Sequence, residues 1–128
     1  MAHYLLSAEA VFSAAHSLPG VDMCERFHGH NWRVRVTVRI DDSALDSGGM
    51  GIDFRDLERI TSSAVADFDH SYLNDLEPFR NHAPTAERIT RVVFERANTE
   101  LAEYSSALCI HEVEVWEMPE YRVSYRPG

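Results

Sequence analysis

Residues 24–30 read C-E-R-F-H-G-H, which sets a thiol, a carboxylate and two imidazoles within one short stretch. His28 and His30 are two apart, so on an extended chain both rings point to the same side. Gly29 between them lets other groups come close to the backbone. A third nitrogen donor is available in His16, which ends a strand-like pattern in phase with Phe12 and Ala14. A core would place an aliphatic or aromatic residue there. Three imidazoles make an open zinc site, with the fourth position left to water or substrate. The competing reading is a polar turn that carries surface histidines. Cys24 lies four residues before His28. Beside a metal its thiolate is favoured and becomes a base or nucleophile; otherwise it is the fourth ligand of a closed structural site.

Other groups could join this chemistry. In Asp69-His70 a carboxylate sits next to an imidazole whose tautomer it could fix, although such a pair also serves to cap a helix or satisfy a polar network. Glu117 ends an alternating strand in phase with Val113 and Val115. A carboxylate in a core-facing phase needs a partner, and a guanidine-like ligand edge would give it a bidentate one. Otherwise it reaches solvent at the strand end. Arg33, Arg35 and Arg39 form a basic stripe, either a solvated face or a polyanion site. Cys109, within an apolar run, reads as a small buried residue.

The elements that must position these groups follow from periodicity. Residues 3–16 read as a strand. Residues 29–41 alternate cleanly, with Trp32, Val34, Val36, Val38 and Ile40 on one side and arginines opposite. Residues 53–67 carry helical spacing through Phe54, Leu57, Ile60 and Ala64, with Asp53 as N-cap. The stretch 69–84 is a connector. A second helix starts at about Thr85, which can cap it, and uses Ile89, Val92, Val93, Ala97 and Leu101. Two strands close the chain: 109–117, with His111 in phase with Val113, and 121–125. The order β-β-α-α-β-β predicts one α+β domain over residues 1–128, a four-stranded antiparallel sheet with two helices on one face. Its two open edges invite association.

Composition narrows the function. The 128 residues carry a net charge of −9, which argues against general nucleic-acid binding. All twelve cationic residues are arginine. The absence of lysine excludes lysine Schiff-base chemistry and a phosphate-binding P-loop. No apolar run approaches the ~20 residues of a membrane span. The first residues lack the pattern of a secretory signal, so the cytoplasm is the expected location, and a disulfide is not expected there.

Taken together, F-S-A-A-H ending at His16, C-E-R-F-H-G-H-N-W, M-G-I-D-F-R-D-L, D-H-S-Y-L-N-D, A-P-T-A-E-R-I and V-E-V-W-E-M-P resemble the 6-pyruvoyltetrahydropterin and 6-carboxytetrahydropterin synthases over nearly the whole chain. The resemblance implies the tunnelling fold, with trimers closing their sheets into a barrel and two trimers stacking as a hexamer. It implies zinc held by His16, His28 and His30, with Cys24 as proton acceptor and Asp69 and His70 as a relay supplied by another subunit. Glu117 would anchor the pterin and join the proton network, and Thr85 would contact substrate. The implied substrate is 7,8-dihydroneopterin triphosphate and the product 6-carboxytetrahydropterin. Glu25 completes an E-x-x-H-G-H pattern that replaces the cysteine in some relatives, which implies a folate-branch activity yielding 6-hydroxymethyl-7,8-dihydropterin. Met118 departs from the threonine found at that place in many relatives.

Overall fold

The computed structural model describes residues 2–20, 26 and 28–128. Two long strands dominate it, β1 (His3–His16) and β2 (His28–Asp41), paired antiparallel along their whole length. Helix α1 (Phe54–Ala64) follows, then a two-residue strand β3 (Ser71–Tyr72), helix α2 (Ala86–Tyr104), and strands β4 (Cys109–Met118) and β5 (Tyr121–Tyr125). The sheet order is β3-β1-β2-β4-β5. It has five strands rather than the four expected, because part of the connector adds to β1 in parallel, Ala14 opposite Ser71 and Ala15 opposite Tyr72. All other pairings are antiparallel.

The alternation in β2 decides which face is covered. Trp32, Val34, Val36 and Val38 are fully buried, whereas Arg33, Arg35 and Arg39 keep partial exposure. Helix α1 packs on β1, and α2 packs on β4 and β5, closing the apolar face. Each large side chain buried there contributes about 1.5–3 kcal/mol through loss of water contact.

Both helix starts match the sequence reading. The Asp53 carboxylate accepts from Arg55 N at 2.8 Å, and Thr85 Oγ1 accepts from Arg88 N at 3.2 Å. Helix α1 stops at Ala64, three residues earlier than periodicity predicts, since Val65 leaves helical geometry with φ −119°. The turn that follows drives Phe68 into the core against Phe12 and Phe79. Phe54, counted as part of the apolar stripe, lies at the first helical position and is exposed.

Strand β4 departs from simple alternation twice. Thr37 pairs with Glu112 but Val38 pairs with Ile110, so His111 is an extra residue on β4. This bulge reverses the phase of what precedes it. Ile110 turns inward and Cys109 outward, so Cys109 is exposed rather than buried. A second bulge falls between Trp116 and Met118, where β4 advances two residues against one on β5. Its extra residue is Glu117.

Candidate active site

At the loop end of the β1–β2 hairpin, His16 stands opposite His28 and Ala14 opposite His30. Because all three histidines occupy the inward phase, their rings converge, with centroids 4.5 Å (His16–His28), 5.2 Å (His16–His30) and 4.8 Å (His28–His30) apart. Trp32 forms the floor, edge-on to His16 and His30. Trp32 is itself held by stacking on Phe12 and by its Nε1–H donating to Ala14 O at 3.3 Å.

Backbone carbonyls set the tautomers. A carbonyl oxygen only accepts, so His16 Nδ1 donates to Pro84 O at 2.9 Å and His28 Nδ1 donates to Arg26 O at 2.7 Å. Each Nε2 is then left with its lone pair. His16 Nε2 and His30 Nε2 are buried without a hydrogen-bond partner among the described residues. Burial is also the main cause that lowers the pKa of both rings, against the Pro84 bond at His16 and the Glu117 charge at His30. Both are therefore neutral imidazoles near pH 7, the form a metal requires.

Glu117 completes the cluster. Its Oε1 lies 2.9 Å from His30 Nε2 and 3.9 Å from His16 Nε2. One donor atom from each of His16, His28, His30 and Glu117 falls within 4.8 Å of the others. Around zinc, with bonds of ~2.0–2.1 Å, tetrahedral donors stand ~3.4 Å apart. The residues fit such an ion: two orphaned buried nitrogens aim at one point, and the donors need only a small contraction to close on it.

The Asp69-His70 pair is built separately, beside β3. Ser13 clamps it with both backbone groups: its N–H donates to Asp69 Oδ1 at 2.9 Å, and its carbonyl accepts from His70 N at 2.6 Å. That amide bond is the largest cause holding the Asp69 carboxyl below its usual range. His70 Nδ1 lies 2.9 Å from Asp69 Oδ2, with an exposed ring and a left-handed backbone, φ 58°. His70 borders a shallow groove that is lined by residues 13–15, 29–31 and 71. Ser13, Ala15, Gly29 and Asn31 belong to the outward phase of the hairpin, opposite to the imidazole cluster.

Of the remaining sequence candidates, Cys24 and Glu25 lie outside the described residues. Thr85 is engaged as a helix cap, one residue after the carbonyl that orients His16. The arginine stripe is largely self-neutralised. Arg35 bridges Glu9 and the buried Glu114, Arg33 pairs with Glu9 and lies 3.9 Å over the Trp116 ring, and Arg39 meets Asp41. Sequence reasoning overlooked the roles of Ser13, Pro84 and Arg26, because these act through backbone atoms that no residue type advertises. Only the proline-threonine step before α2 hinted at one of them.

This arrangement has known counterparts. The family described as 6-pyruvoyl tetrahydropterin synthase matches residues 5–128. The chain belongs to that family. A 6-carboxy-5,6,7,8-tetrahydropterin synthase of Synechocystis is 34% identical over 118 residues, covering 89% of this chain and 86% of that protein. The Bacillus subtilis protein of the same name is 30% identical over 128 residues, covering 95% and 84%. The solved 6-pyruvoyl tetrahydropterin synthase of Caenorhabditis elegans shares the fold, with a TM-score of 0.84 over 100% of this chain and 98% of that one, at 24% identity. The protein is thus a pterin synthase by family, and its α+β architecture is that of the tunnelling fold.

Proposed function

We propose that this member of the family is a zinc-dependent 6-carboxy-5,6,7,8-tetrahydropterin synthase. It would convert 7,8-dihydroneopterin triphosphate to 6-carboxytetrahydropterin, acetaldehyde and triphosphate, in the cytoplasm, as a step towards queuosine. The observation that carries this reading is the convergence of neutral imidazoles with orphaned Nε2 atoms beside Glu117. The two relatives described above, both named for the 6-carboxy product, support the choice among family reactions.

His16, His28 and His30 would hold the zinc, which supplies polarisation of the substrate's side-chain oxygens and so acidifies the neighbouring C–H and O–H groups. Cys24 accepts a proton on one side of the substrate. The Asp69-His70 pair of a neighbouring subunit serves the other side, its exposed ring free to exchange protons while the ionised Asp69 holds Nδ1–H. Glu117 contacts the pterin ring as substrate binds, and Thr85 contributes at the head of α2. The assembly is a hexamer of two stacked trimers.

A second reading rests on Glu25, which makes E-x-x-H-G-H out of the same loop. Used as a base near the side-chain hydroxyl, it would divert substrate to 6-hydroxymethyl-7,8-dihydropterin. Incubation of zinc-loaded protein with 7,8-dihydroneopterin triphosphate, with mass spectrometry of pterins and aldehydes, separates the readings. The expected products are 6-carboxytetrahydropterin and acetaldehyde. Hydroxymethyl product that disappears in Glu25→Ala would establish the second activity, and absence of any turnover would overturn both.

A further inference from the structure

Among the carboxylates of β4, Glu117 stands apart. Glu112 pairs with Arg126 and Ser124, and Glu114 is buried between Arg35 and Arg122. Among the described residues Glu117 meets no guanidinium, and the nitrogens nearest its carboxylate are those of His16 and His30. A half-buried carboxylate with no guanidinium against it among the described residues lacks the countercharge that burial demands. Its close approach to His30 Nε2 is not a hydrogen bond either, since that nitrogen remains unpartnered. The missing partner is a cation.

The bulge explains how the carboxylate reaches this point. As the extra residue between the Trp116–Arg122 and Met118–Tyr121 pairs, Glu117 is released from regular pleating, and the local bend turns its side chain towards the hairpin end. A regular strand would hold residue 117 in the ladder with β5. The same irregularity leaves it with fewer constraints than Val113 or Val115, which are fully buried.

The geometry points to Glu117 as the fourth ligand of the metal in the resting protein, a carboxylate that closes the three-histidine site and withdraws when a pterin enters. This inference rests on the metal reading made above and deepens it. Three histidines alone describe an open, catalytic-type site, whereas four protein donors describe a closed one. A site with a mobile fourth donor is closed at rest and open in use. The withdrawn carboxylate is then free for the pterin ring, so one residue serves both roles in sequence.

Cobalt(II) replaces zinc in such sites and reports its donors by visible absorption. Metal-free full-length protein and the isosteric variant Glu117→Gln are titrated with cobalt, without substrate, and His28→Ala serves as the control that loses the site. The expected result is that Glu117→Gln binds cobalt about 10–100-fold more weakly and shows a shifted spectrum. Addition of 7,8-dihydroneopterin, which lacks the triphosphate leaving group, should move the wild-type spectrum away from that of the resting four-donor site. Equal affinity and an identical spectrum in the two proteins would overturn the ligand assignment while leaving the three-histidine site standing. A wild-type spectrum that ignores the pterin would overturn the withdrawal. Failure of wild-type protein to bind cobalt would overturn the metal reading beneath both.

Discussion

The three histidines differ in how they are held, and substitutions should separate metal binding from folding. His28 is partly exposed, so His28→Ala should abolish zinc retention, read by elemental analysis, and barely move the melting temperature of metal-free protein. His16 is fully buried and donates to Pro84 O. His16→Ala should lose the zinc and also destabilise the metal-free fold by about 1–3 kcal/mol, because that carbonyl is left unpaired. His70 offers a test of backbone geometry, since its φ of 58° suits asparagine and opposes a β-branched residue. His70→Asn should fold like wild type with activity lost, whereas His70→Val should also unfold at lower urea. Asp53 offers a test of charge. Its bonds from the Arg55 side chain and amide depress its pKa to about 2 from 3.8. The stabilisation it gives α1 is complete above the unfolded value and disappears as pH falls from 3.8 towards 2. Asp53→Asn keeps a capping side chain but not the charge, so its stability should be flatter through that window in acid titrations followed by circular dichroism.

At the scale of elements, the long periodic segments were legible because burial on one face enforces a single period. β2 is the clearest case, and both helix caps were legible for the same local reason. The bulges at His111 and Glu117 were not. Each depends on how β4 is registered against its neighbour, and alternation read along one strand carries no record of the partner. Cys109 was consequently assigned to the wrong face. Strand β3 was missed because two residues pair only through the docking of the connector on β1. The α2 start joins both kinds of information. Thr85→Ala should cost about 1 kcal/mol as a lost cap, seen in chemical denaturation. It should also weaken zinc binding, because loosening that turn frees the Pro84 carbonyl that fixes His16. Thr85→Ser should restore both.

At the scale of the whole molecule, the sheet ends in two open edges among the described residues. Among the described residues β3 covers β1 only at Ala14 and Ala15, which leaves the outer edge from His3 to Phe12 without a strand, and β5 is open on the opposite side. Edges of this length are usually paired, covered or charged. The proposed function requires an association that sets a neighbour's Asp69-His70 pair beside this chain's imidazole cluster. Light scattering on the purified protein should give the mass of six chains. Cys24→Ala and His70→Ala should each be inactive alone. Unfolding and refolding them together should regenerate activity at roughly a quarter of sites, by random assortment of subunits. A mixture that stays inactive would place both residues in one subunit's site.

The sequence by itself determined which three imidazoles share a face and the strands that carry them. His16, His28 and His30 share one phase of a hairpin, and two-residue periodicity is a local property of an extended chain. It also determined both helix starts, since a cap needs only the residues next to it. Tertiary structure alone decided that Glu117 turns onto the imidazoles, that Ser13 and Pro84 position side chains through backbone atoms, and that the arginine stripe is spent on Glu9, Glu114 and Asp41. Those facts depend on which segments dock together, and docking is settled by packing over distances that no motif spans.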